Sequence, residues 1–146
     1  MSLWARLLEV YDRPGVAEAC LTLQDEHGQQ VSLLLWAGVL RPDDAAVIAR
    51  AAAVARDWDA AALAPLRAAR RAMKVASPPI EDAGRILLRE GVKAAELDAE
   101  RLLVEALERL APAGAADPAQ AMAEAARGWG RPAPSDGLLR LAAMIG

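Results

Sequence analysis

The 146-residue chain has no phenylalanine, one tyrosine, one histidine and one cysteine. A single histidine rules out any metal site built on two or three imidazoles, including the paired Glu-x-x-His ligands of a di-iron bundle. A single cysteine rules out thiolate clusters, structural zinc and an internal disulfide, so no oxidising compartment is required. No Gly-rich phosphate loop, no G-x-G-x-x-G behind a strand and no G-x-S-x-G nucleophile turn is present. The four serines, Ser2, Ser32, Ser77 and Ser135, stand in no motif that supplies a base. The sequence therefore assigns no catalytic residue, no metal ligand and no cofactor.

Other shortages narrow the setting. The longest apolar run, Val31–Leu40, is far below the roughly 20 residues a membrane span needs. No basic segment followed by an apolar stretch opens the chain, so no signal peptide is expected and a cytoplasmic location is the default. Net charge is −3, and neither half of the chain is basic. Nucleic acid is thus a poor candidate partner, the more so because few aromatic side chains are available for stacking.

What is abundant is alanine and leucine, in a chain that is 55% hydrophobic and 25% charged. Both residues lose little side-chain entropy in a helix. The expected fold is all-α, a bundle of about six to eight helices with no sheet. Residues 1–111 are expected to form its core, with 112–146 a helical extension packed on the same domain.

Ser2 caps a first helix carrying Leu3, Trp4, Leu7, Leu8 and Tyr11. A second starts near Pro14–Gly15 and stops at His27–Gly28, where glycine can turn left-handed. Val31–Leu40 is apolar all round and is expected to be the central helix, since no other segment offers it a strand partner. Arg41-Pro42-Asp43-Asp44 restarts a helix running to about Arg56. Trp58 opens a fifth, which Pro65 starts or kinks in its second half. After the break at Ser77-Pro78-Pro79, residues 80–110 give the longest helical pattern, with Gly91 inside it. Residues 112–118 read as a flexible joint. Short helices follow over 118–127 and 135–145, the last capped by Ser135 with Asp136.

Three constellations are candidates for function. Cys20 and His27 lie two turns apart on one helix, about 10 Å. That is too far for a nucleophile–base pair, and the expectation is a buried thiol with an exposed imidazole at a helix end. Arg67, Arg70, Arg71 and Lys74 share one helix face by their spacing of three, four and seven. They form either a docking stripe for an anion or an acidic partner, or ion pairs within the bundle, with Glu96 and Glu100 as possible counter-charges. Tyr11, Gln24 and Ser32 interrupt apolar segments and are the candidates for lining a pocket between helices. Of the tryptophans, Trp36 is core, Trp4 and Trp58 are candidates to join it, and Trp129 pins the C-terminal segment or anchors a partner.

Taken in order, Leu3-Trp4, Tyr11, Pro14-Gly15-Val16, the CLTLQ stretch at 20–24, Gly28 and VSLLLW at 31–36 resemble a proteobacterial family, the domain of unknown function numbered 2390. Trp58 with PLRAARRAMK at 65–74, and AAELDAE at 94–100, continue the resemblance to about residue 105. The sequence departs from the family at Ser32, where members usually carry Asn. The resemblance implies a bacterial cytoplasmic setting and assigns no activity. The reading that follows is a non-enzymatic interaction or regulatory protein with a protein partner, a second copy of itself included. The alternative is a small-molecule-binding protein or enzyme with a pocket between helices.

Overall fold

The computed structural model describes residues 1–146. It is all helical, with no strand. The elements are α1 (Leu3–Tyr11), α2 (Val16–His27), α3 (Val31–Leu40), α4 (Ala45–Trp58), a π-helical turn (Asp59–Leu63), α5 (Ala64–Ala72), α6 (Asp82–Glu108), α7 (Pro118–Trp129) and α8 (Ser135–Ile145). The chain divides into two compact units, Met1–Arg56 with Leu103–Gly146, and Asp57–Leu102. Residues 112–146 share a unit with the N-terminal helices.

The first unit is built around α3. Leu33, Leu34, Leu35, Trp36, Ala37, Gly38 and Leu40 are all buried, as is Ser32. An all-apolar helix has no face to give to water, so neighbours must cover every side. Its main neighbour is α7, which packs on α8, which in turn packs on α2. Small residues set these distances. A Cβ on Gly38 would run into the ends of Met122 and Ile145, and one on Gly128 would press on Ala52. The α1 core face is Leu3, Leu7 and Val10, whereas Leu8 and Tyr11 stay exposed.

Helix ends are tied across the unit. Ser2 Oγ accepts the Ala5 N–H at 3.2 Å. Glu108 Oε1 accepts the Leu3 N–H at 2.9 Å, placing negative charge at the positive end of α1. Gly15 and Gly28 bracket α2 with φ of +84° and +62°. Arg13 donates to the last carbonyls of α8, those of Met144 and Ile145. The start of α8 differs from expectation. Ser135 is already helical, Pro134 stands at the cap position, and no side chain caps the end.

Residues 112–118 are not a flexible joint. The Gly114 N–H donates to Leu40 O at 2.8 Å and the Ala116 N–H to Arg41 O at 3.2 Å. Arg41, left-handed at φ +53°, donates from Nε to Ala116 O at 2.6 Å. Asp43 accepts the Ala115 N–H.

In the second unit, the break expected between Arg56 and Trp58 is absent. Helix α4 continues through the π turn into α5, with the Ala64 N–H reaching back to Asp59 O. Pro65 gives the reason. Proline lacks an N–H, and its ring collides with the carbonyl four residues earlier. Widening the preceding turn to a five-residue bond absorbs that collision without ending the helix. Helix α6 runs unbroken through Gly91.

Candidate functional site

The unit Asp57–Leu102 has almost no apolar core. Only Leu63 and Ala99 are buried within it. Polar contacts hold α5 and α6 in place instead. Trp58 Nε1 donates to Ala99 O at 2.8 Å. Arg70 Nε donates to Glu96 Oε2 at 2.6 Å. Arg85 donates to Met73 O at 2.6 Å and Arg89 to Arg70 O at 3.1 Å, so two guanidinium groups satisfy carbonyls at the C-terminal end of α5.

Arg67 and Arg70 face a cluster of carboxylates. Arg67 lies 3.7 Å from Glu96 and 3.9 Å from Asp59, within ion-pair range. Its buried Nε has no hydrogen-bond partner. Burial pushes the Glu100 carboxyl above its ordinary pKa; Arg67 opposes the shift, and Glu96 and Asp59 add to it. Burial raises the Asp59 carboxyl too, with Arg67 pulling the other way. Three acids and two arginines thus share one partly desolvated spot, where a full set of charges is costly.

The basic stripe is therefore divided. Arg67 and Arg70 are partly buried against acids of their own unit, while Arg71 and Lys74 are exposed. The pocket candidates sit on three different helices. Tyr11 is exposed at the end of α1, Gln24 is half-buried in α2, and Ser32 is buried in α3. None of them lines the cleft of about 300 Å³ edged by Glu18, Thr22, His27 and Arg140. Cys20 is buried, and His27 is half-buried rather than exposed. Trp129 Nε1 donates to Gly28 O at 2.8 Å, which pins the segment after α7 to the end of α2.

No group of three or more His, Cys, Asp or Glu side chains comes together in a way that could hold a metal ion. No helix is long and apolar enough to cross a membrane.

What sequence reasoning missed is the outer face of α6. Of the twelve large apolar side chains exposed on the molecule, seven belong to Asp57–Leu102: Val75, Ile80, Ile86, Leu87, Leu88, Leu97 and Leu102. Leu87 is 75% exposed and Leu88 61%. The spacing of Gly84, Leu87, Leu88, Gly91, Ala94 and Ala95 was the available signal, since steps of three, four and seven share a helix face. Periodicity shows a stripe but not whether anything covers it.

No curated protein and no solved structure matches the chain. The stretch from α1 to the end of α6 does have counterparts. The model of the family described as protein of unknown function (DUF2390) matches residues 2–107, and the chain belongs to that family.

Proposed function

We propose that this protein is a non-enzymatic interaction or regulatory module that works through the unit Asp57–Leu102. One observation carries the reading: this unit buries two apolar residues and exposes seven large ones. A helix pair with so little interior lacks the usual source of helical stability, the packing of an apolar face. Large exposed apolar groups concentrated on one element mark interaction surfaces. Arg71 and Lys74, exposed in the same unit, give an acidic partner a point of approach. Arg67 and Arg70 serve the unit itself. With this reading goes a cytoplasmic setting, in keeping with the single cysteine.

The test pairs Leu87→Asp and Leu88→Asp in one variant and follows complexes by native mass spectrometry. Purified chain alone and chain mixed with extract of its own host are both measured. A complex that the double variant abolishes supports the reading. Complexes indifferent to it overturn the reading. The alternative, a small-molecule binder whose pocket is lined by Tyr11, Gln24 and Ser32, predicts a retained small molecule that is lost on Tyr11→Ala or Gln24→Ala.

A further inference from the structure

We infer that the cleft edged by Arg6, Arg13 and Arg41 in the first unit binds a small phosphate-bearing molecule. The site is separate from the α6 face and does not rest on the reading of that face. The three arginines come from different places along the chain. Arg6 lies within α1, Arg13 in the turn after it, and Arg41 at the C-terminal end of α3. Folding gathers them around one cleft of about 300 Å³, at the lower end of the range for small-molecule pockets. In a chain of net charge −3, composition alone does not produce such a gathering of cations.

Two of the three are already fixed in place. Arg13 Nη1 donates to Met144 O and Ile145 O, which leaves Nε and Nη2 without an acceptor. Arg41 donates from Nε to Ala116 O and from Nη2 to Ala115 O, which leaves Nη1. A ligand therefore meets donors that folding has already ordered. Arg6 makes no side-chain hydrogen bond or ion pair within the chain, so nothing inside the molecule uses its charge. Glu9, the one acidic side chain on the cleft, pairs with none of the three. Met1 and Gly146 also edge the cleft, and their end charges are opposite. The helix ends here are satisfied. The Leu40 and Arg41 carbonyls accept the Gly114 and Ala116 N–H groups, and those of Met144 and Ile145 accept from Arg13. Three guanidinium groups against one side-chain carboxylate leave an excess of two positive charges. A phosphate monoester dianion matches that charge, and guanidinium forks bind its oxygens in pairs. Val10, Val39 and Ile145 supply an apolar wall for the rest of the molecule.

Isothermal titration of the full chain with phenyl phosphate tests this, with benzoate as the carboxylate counterpart. One phenyl phosphate is expected to bind per chain. Binding should tighten severalfold from about pH 5 to about pH 7.5, as the second phosphate proton leaves near pH 6. Arg6→Ala breaks no side-chain hydrogen bond or ion pair in the chain. It is expected to keep the wild-type melting temperature and to weaken binding about 10-fold or more, as for one lost charged hydrogen bond. Arg50→Ala removes an exposed arginine that does not edge the cleft, and should leave binding unchanged. Absence of binding overturns the site. Equal weakening by Arg6→Ala and Arg50→Ala also overturns it, since general charge attraction would explain both. Benzoate that binds as tightly as phenyl phosphate overturns phosphate as the group recognised. None of these results bears on the α6 face, whose test is the complex lost in the Leu87→Asp and Leu88→Asp variant.

Discussion

Arg70 and Glu96 meet at 2.6 Å between Nε and Oε2, and the same carboxylate lies 3.7 Å from Arg67. One acid on α6 thus engages two of the three basic residues on α5, Lys74 lying in the turn beyond its end. These two guanidinium groups act chiefly within their own unit. Only Arg71 and Lys74 present the stripe outward.

Glu96→Gln follows from this relationship. It leaves two partly buried guanidinium groups facing a neutral amide. Loss of charged hydrogen bonds of this kind costs about 1.5–3 kcal/mol. Amide hydrogen exchange is expected to speed up over residues 64–102, while α3 stays protected. Uniform exchange behaviour across the chain would show that the pair holds nothing together.

The carboxylate cluster fixes a pH dependence and its sign. Burial raises Glu100 above its ordinary value of 4.5 and Asp59 above 3.8. Between those values and the raised ones, the folded chain holds protons that the unfolded chain has lost. Stability from these groups is therefore greatest in acid and falls as pH rises through that window. Glu100→Gln removes the cost of ionising this carboxyl in place. The variant is expected to melt higher than wild type at neutral pH, and the difference should vanish in acid below the carboxylate range. Thermal melts of both proteins across that range decide it; a variant that melts lower at neutral pH refutes the sign.

Trp36 and Trp129 make opposite kinds of contact. Trp36 is wholly buried on α3, and Trp36→Ala is expected to cost roughly 3–5 kcal/mol by urea denaturation. Trp129→Phe keeps most of the ring but gives up the bond to Gly28 O, for about 1 kcal/mol. The distinguishing readout is limited proteolysis after residue 129, faster in Trp129→Phe. Unchanged cleavage would mean that the indole does not pin the tail.

Gly114→Ala tests the clamp that replaces the expected joint. A Cβ there would run into the Arg41 carbonyl oxygen and the Asp43 carboxylate, and backbone cannot swing aside as a side chain does. A cost of about 1–3 kcal/mol is expected, with faster exchange of the Gly114 and Ala116 amides. Wild-type stability in this variant would mean that residues 112–118 are loosely held.

The sequence by itself determined the helices. Ala–Leu composition, the cap at Ser2, the left-handed glycine ending α2 and the all-round apolar Val31–Leu40 are local signals, because helical hydrogen bonds and caps join residues close in sequence. Family membership was legible for the same reason, as motifs in order along the chain. Only the tertiary structure decided how Pro65 is absorbed, that residues 112–118 are clamped, that Arg67 and Arg70 face Asp59 and Glu96, and that the apolar stripe on α6 is uncovered. Each of these depends on which residue far along the chain, if any, stands opposite a given side chain. Helical periodicity defines a face and leaves its occupant open.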